Sequence, residues 1–210
     1  MSEKTAQSVL EDSKNRIWIS TYNGGLNLFN EKENTFTHFG NNPRDKNKLS
    51  SNKILYTFET LDGNIWICTL DGGLNRFNPN SNTFETFMHD PSDSLSIAQN
   101  SVWAGVEDSK NRLWVALRTK GISLFDREKK HFYNYGDSFK GGNGLLSNNV
   151  LYVFIDSKER LLIGTSLGLN VVDLTTLDVL IPDELTFNHI DDKTINGTGI
   201  NYITEDYLGN

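Results

Sequence analysis

The sequence of 210 residues predicts an all-β fold built from four repeated four-stranded units, and three observations carry that expectation. Trp18, Trp66 and Trp114 follow one another at 48-residue steps, and the next step lands on Leu162. Each heads the same phrase: Ile17-Trp18-Ile19-Ser20-Thr21, Ile65-Trp66-Ile67-Cys68-Thr69, Leu113-Trp114-Val115-Ala116-Leu117 and Leu161-Leu162-Ile163-Gly164-Thr165. Short segments rich in Ile, Val, Phe, Tyr, Trp and Thr alternate with Gly, Asn and Asp, the pattern of strands joined by tight turns. No long stretch keeps helical i, i+3, i+4 spacing, and abundant Asn and Gly disfavours helix.

Within a copy, the elements follow in a fixed order. The second copy shows it best, with strands expected over 54–59, 65–69, 74–77 and 83–87. The first strand is the least regular, as in Val102-Trp103-Ala104-Gly105-Val106 and Val150-Leu151-Tyr152-Val153-Phe154. A turn follows: Asp12-Ser13-Lys14-Asn15-Arg16, Asp108-Ser109-Lys110-Asn111-Arg112 and Asp156-Ser157-Lys158-Glu159-Arg160, varied in the second copy as Leu61-Asp62-Gly63-Asn64. These residues tolerate the positive φ of a hairpin, so they read as turn chemistry and not as catalysts. After the Trp strand come Gly24-Gly25-Leu26-Asn27-Leu28-Phe29, Gly72-Gly73-Leu74-Asn75-Arg76-Phe77, Gly121-Ile122-Ser123-Leu124-Phe125 and Gly168-Leu169-Asn170-Val171-Val172. Aromatic pairs close three copies, Phe36/Phe39, Phe84/Phe87 and Phe132/Tyr135, and the fourth weakens to Val179 and Ile181.

A strand such as Ile65-Trp66-Ile67 is apolar on both faces, so both must be covered. Four-stranded units of 40 to 50 residues covered on both sides are blades of a β-propeller. A β-sandwich would instead alternate apolar and polar positions. The expected organisation is propeller repeats over 6–210: blade 1 about 6–39, blade 2 about 54–87, blade 3 about 102–135, blade 4 about 150–181, and the first strand of a fifth blade within about 200–210. Four blades and one further strand leave large apolar end faces uncovered, more than a soluble monomer usually tolerates. The expectation is therefore a propeller fragment, or self-association as a homodimer.

Composition narrows the function classes. Twenty Lys+Arg against 27 Asp+Glu give a net charge of −7, with no basic stripe of the kind that releases counterions from nucleic acid. No apolar run reaches the roughly 18 to 20 residues of a membrane span, and residues 1–7 lack the apolar core of a signal peptide. The single cysteine, Cys68, excludes an internal disulfide and reads as a small buried apolar group. His38, His89, His131 and His189 fall at unmatched repeat positions without metal-ligand spacing. His89-Asp90-Pro91-Ser92-Asp93 lacks the six to eight oxygens that calcium takes, and reads as a turn. Asn196-Gly197-Thr198 matches a glycosylation sequon, and reads as a loop. No catalytic residue, metal or cofactor is expected, so the chain reads as a non-enzyme.

Leu49-Ser50-Ser51-Asn52, Asp108-Ser109-Lys110-Asn111-Arg112-Leu113-Trp114-Val115, Gly72-Gly73-Leu74-Asn75-Arg76-Phe77-Asn78 and His89-Asp90-Pro91-Ser92-Asp93-Ser94-Leu95-Ser96 resemble the two-component regulator propeller repeat. The resemblance recurs from about Gln7 to Asn210. It implies a seven-bladed propeller in the sensor half of a hybrid histidine kinase, in the periplasm. It further implies ligand sensing, often of oligosaccharides. The expected partners are the remaining blades, the kinase, and an oligosaccharide or other small ligand, with neither nucleic acid nor membrane contacted by this segment.

The resemblance supplies scaffold and no ligand residues, so candidates come from departures in the loops between second and third strands. Those positions read Tyr22, Leu70, Arg118 and Ser166, then Asn23, Asp71, Thr119 and Leu167, with Lys120 replacing a glycine in the third copy. Tyr22, Asn23, Asp71, Arg118 and Lys120 form an inventory for stacking on and hydrogen-bonding a sugar, or for meeting an anion. Trp103 stands where other copies have Leu55 and Leu151, either as an apolar plug or as a stacking face. Two other roles stay open: a purely structural or dimerising propeller, and a propeller polysaccharide lyase.

Overall fold

The computed structural model describes residues 5–45, 47–136, 144–177, 185–189 and 197–206. Every regular element among them is a strand, and the strands form four antiparallel four-stranded sheets in chain order. The chain is a β-propeller fragment. Blade 1 comprises β1 (Ala6–Glu11), β2 (Ile17–Thr21), β3 (Gly25–Asn30) and β4 (Thr35–Phe39). Blade 2 comprises β5 (Ile54–Glu59), β6 (Ile65–Thr69), β7 (Leu74–Asn78) and β8 (Thr83–Phe87). Blade 3 comprises β9 (Val102–Glu107), β10 (Leu113–Leu117), β11 (Gly121–Asp126) and β12 (His131–Tyr135), and blade 4 comprises β13 (Val150–Ile155), β14 (Arg160–Thr165), β15 (Gly168–Asp173) and β16 (Asn188–His189). Residues 1–89 with 100–103 make one compact unit, and residues 90–99 with 104–210 make a second.

The tight turns follow from backbone chemistry. Asn15, Gly63, Asn111 and Glu159, at one repeat position, all hold positive φ between 56° and 75°. Gly25, Gly73 and Gly121 open the third strands at φ 71° to 79°, and a Cβ on any of them would come within 2.4 Å of a carbonyl oxygen on the fourth strand. Each of those glycine N–H groups donates to an asparagine carbonyl in the connection that follows: Asn52 at 3.0 Å, Asn100 at 2.9 Å and Asn148 at 2.9 Å. This is the structural use of the Leu-Ser-Ser-Asn phrase.

Both faces of β6 and β10 are fully buried, whereas β2 and β14 each keep one partly exposed face. In the first unit, Trp18 packs with Leu26, Leu49, Ile54, Ile65, Ile67 and Phe77 in one core layer. Trp18 meets the Phe77 ring edge-on at 5.7 Å, so blade 1 and blade 2 share this layer. Trp66, which alternates to the opposite face of β6, stacks on Phe87 at 5.7 Å. In the second unit Trp114 is fully buried against Tyr135, which in turn meets Phe187 at 6.0 Å. Cys68 is fully buried, and burial pushes its thiol pKa upward.

The fourth blade departs from strict spacing. Val179 and Ile181 lie outside the described residues. The strand paired with β15 is Asn188–His189, with Asn170 opposite His189 and Val171 opposite Asn188. Phe187, fully buried, takes the core place that Phe84 fills in blade 2. A longer connection after β15 displaces this strand from the 48-residue period. Residues 200–206 follow without a sheet ladder of their own, yet they are seated on blade 4. Ile200 N–H donates to Thr165 O at 2.9 Å, and the Tyr202 ring lies 4.9 Å from that of Tyr152.

Candidate functional site

The turn before each second strand is a closed polar device. Asp12 Oδ1 accepts the backbone N–H groups of Lys14 (3.0 Å) and Arg16 (2.9 Å), while Oδ2 accepts Arg16 Nε (2.6 Å) and the Trp18 indole N–H (2.7 Å). Asp108 repeats the set with Lys110, Arg112 and Trp114. Asp156 keeps Lys158 and Arg160, but Leu162 offers no indole. In blade 2 Thr60 Oγ1 accepts the Trp66 indole N–H at 3.1 Å and donates to Asp62 at 2.6 Å. Burial alone would raise the Asp12 pKa, but the bonds from Trp18 and Arg16 outweigh it and hold the carboxyl below its ordinary value. A satisfied buried carboxylate of this kind anchors a tryptophan. It is not poised to move a proton. The signal in the sequence was the Asp six residues before the Trp.

The loops after the second strands differ from blade to blade. In the first unit Tyr22 and Asn23 are exposed between β2 and β3, Tyr22 by 37%. Asp71, between β6 and β7, accepts Lys53 Nζ at 2.7 Å and the Ser51 hydroxyl at 2.5 Å. These two donors hold the Asp71 carboxyl below its ordinary value, and the carboxylate raises Lys53. Ser51, Lys53 and Asp71 thus form one hydrogen-bonded cluster. Sequence reasoning missed Lys53 and Ser51. The signal available was that Lys53 precedes β5 at the repeat position held by Ser101 and Asn149. Trp103 is half-buried on β9. In the second unit Arg118, Thr119 and Lys120 are exposed, and Thr119 donates its N–H and hydroxyl to Gln99 Oε1 at 3.0 and 3.2 Å. Among the described residues no group of three or more His, Cys, Asp and Glu side chains could hold a metal ion. The Asp90 and Asp93 carboxylates accept from Ser92 and Leu95 within their own turn. Asn196 of the sequon lies outside the described residues.

In the first unit the exposed Tyr22 and Asn23 can stack on a ring and hydrogen-bond it, and in the second unit the exposed Arg118 and Lys120 can donate hydrogen bonds. Among the described residues no helix is long and apolar enough to cross a membrane.

Two kinds of similarity to known proteins bear on the repeat. Residues 1–23 match the two component regulator propeller family. The whole chain superposes, at TM-score 0.81 and 22% identity, on 27% of the extracellular domain of a hybrid two component system from B. thetaiotaomicron. A second such domain from that organism matches at TM-score 0.72 and 22% identity, over 98% of this chain and 28% of its own length. The chain thus spans about a quarter of the length of these extracellular domains. Virginiamycin B lyase from Staphylococcus aureus matches at TM-score 0.63 and 10% identity, over 90% of this chain and 57% of its own. An enzyme and extracellular domains of two component systems therefore share the fold, which by itself assigns no activity. No curated protein matches the sequence.

Proposed function

We propose that this chain is a ligand-sensing propeller segment in the extracellular, periplasmic region of a hybrid two-component sensor. It binds an oligosaccharide through loops that follow its second strands and relays binding to a kinase outside these residues. The observation that carries this reading is the division of labour among polar residues. The repeated turn carboxylates spend their acceptor atoms on the scaffold, whereas Tyr22, Asn23, Arg118 and Lys120 are exposed and differ from copy to copy. The regulator-propeller match and the named sensor domains support the setting. Trp103 adds an aromatic face on β9, and the chain acts without catalysis, metal or cofactor.

Calorimetric titration of a panel of oligosaccharides tests this, first with the 210-residue chain and then with the intact sensor. Tyr22→Ala and, separately, the Arg118→Ala/Lys120→Ala double variant should each weaken the bound glycan about tenfold, the effect of one charge-assisted hydrogen bond or ring contact. Unchanged affinity in both would reject these loops and leave the propeller as a scaffold or dimer contact. Steady release of unsaturated sugars would replace the sensor reading with a lyase.

A further inference from the structure

The connection from β4 to β5 departs from its repeat partner, and a cleft of about 320 Å³ opens beneath it within the first unit. In the connection after β8, Leu95 O accepts the Phe132 N–H at 2.8 Å, so backbone pairs directly with the edge strand β12. The Ser96 hydroxyl closes that turn, accepting the Asp90 N–H at 3.0 Å and donating to Asp93 O at 2.8 Å. In the first connection Asn47 stands at the Leu95 position, and its side chain takes over the pairing. Asn47 Oδ1 accepts the Phe84 N–H and Nδ2 donates to Asn82 O, both at 2.6 Å. The backbone is thereby held off β8 by the length of a side chain. Lys48 replaces Ser96 and has no hydroxyl with which to close the turn. Gly40, where the second connection has Met88, keeps one end open, since a Cβ there would come 2.8 Å from His38 Cε1.

The cleft carries both signs of charge. Asp45 Oδ1 accepts the Asn47 N–H at 2.9 Å, which leaves Oδ2 for another donor. Lys48 is half-buried in the lining, and among the described residues no hydrogen bond or ion pair engages its ammonium. Lys53 and Asp71 pair at 2.7 Å and Lys129 and Asp126 at 3.3 Å, whereas Asp45 and Lys48 line one cleft without pairing. Half-buried Phe39 and Phe84 add an apolar wall. We infer that this cleft binds a free α-amino acid with an apolar side chain. The ligand's ammonium meets Asp45, its carboxylate meets Lys48, and its side chain lies against Phe39 and Phe84. A simple anion would meet the Asp45 carboxylate and a simple cation would meet Lys48, but a zwitterion is matched by both. The volume is at the small end for ligand pockets, enough for an amino acid and too little for an oligosaccharide chain. The site shares no residue with the loops after the second strands, so oligosaccharide binding there is a separate matter.

Calorimetric titration of the 210-residue chain with L-leucine and L-phenylalanine tests this, and a Kd of about 1 mM is expected for so few contacts. Leucine amide lacks the carboxylate and N-acetyl-leucine lacks the ammonium, and each should bind about tenfold more weakly than leucine. Lys48→Gln should weaken leucine about tenfold and leave leucine amide unchanged. Asp45→Asn should weaken leucine by a similar factor and leave N-acetyl-leucine unchanged. This crossed selectivity separates lost contacts from lost folding, which would abolish every titration alike. The Arg118→Ala/Lys120→Ala variant should keep leucine binding whatever it does to a glycan. Absence of binding by both amino acids, or equal binding of leucine and its two derivatives, would overturn the inference. Glucose competing with leucine at equal strength would also overturn it, by assigning the cleft to neutral polyols.

Discussion

Two sets of turns flank every second strand, and they follow opposite rules. The turn before it keeps its chemistry in three copies: Asp12, Asp108 and Asp156 accept backbone N–H groups and an arginine, and the first two also accept the indole, whereas in blade 2 Thr60 accepts the indole and Asp62 accepts the Asn64 N–H. The loop after it varies in residue type from copy to copy, and Tyr22, Asn23, Arg118 and Lys120 in it are exposed. The difference teaches which polar residues are structural. Buried polar groups must be satisfied, and the cost of leaving one unpaired is comparable to a large share of a domain's stability. Exposed loop residues carry no such obligation, so their identities are open to other uses.

The sharpest break of this contrast is a pair of substitutions on either side of β10. Asp108 is 2% exposed and serves Lys110, Arg112 and Trp114 at once. Arg112 in turn donates to the carbonyls of Leu174 and Leu177 in blade 4. Asp108→Ala should strand a buried guanidinium and an indole N–H together, and cost about 3–5 kcal/mol. Arg118→Ala, a few residues on, should stay within about 0.5 kcal/mol of wild type. Urea unfolding of both variants checks this, and comparable losses would dissolve the distinction.

A smaller effect separates the same devices by pH. Asp12 has a folded-state pKa below its unfolded value, so the unfolded chain binds more protons at acid pH. The resulting stability is complete above the unfolded carboxylate value, about 3.9, and is lost as pH falls through the folded value. Asp12→Asn should therefore lower stability at neutral pH and flatten its decline below about pH 4. Urea midpoints measured from pH 2 upward read the slope. An acid limb as steep as wild type would place the acid sensitivity elsewhere.

The fold was legible because its causes are local and repeated. Tryptophans at equal spacing and glycines forced into positive φ reveal four blades without any knowledge of distant contacts. Legibility failed where the period broke. The aromatic that closes blade 4 is Phe187, and counting from Phe84 and Phe132 points to Val179, because a longer connection after β15 intervenes. The candidate site was harder for a different reason. Asp71 looked like a loop departure available to ligand, yet its carboxylate is shared between Ser51 and Lys53, which precede it by 20 and 18 residues. Periodicity marks which loops differ, whereas only the fold shows which of their side chains already have partners.

The smallest expected effect tests how far the repeat dictates backbone chemistry in the turns between third and fourth strands. Asn34, Asn82 and Lys130 share one position there, with φ of 53°, 54° and 57°. Asparagine tolerates this left-handed region because its short polar side chain bonds locally, whereas lysine bears the steric penalty between Cβ and the following carbonyl. Lys130→Asn should stabilise the chain by about 0.5–1 kcal/mol, and the reverse exchange, Asn82→Lys, should cost a similar amount. Both residues are exposed, so neither change disturbs the core, and opposite shifts in thermal midpoint would isolate the backbone term. If Lys130→Asn left the midpoint unchanged while Asn82→Lys lowered it, the lysine's neighbours in blade 3 would be compensating for its conformation. The turn would then owe its shape to its surroundings and not to its own residue.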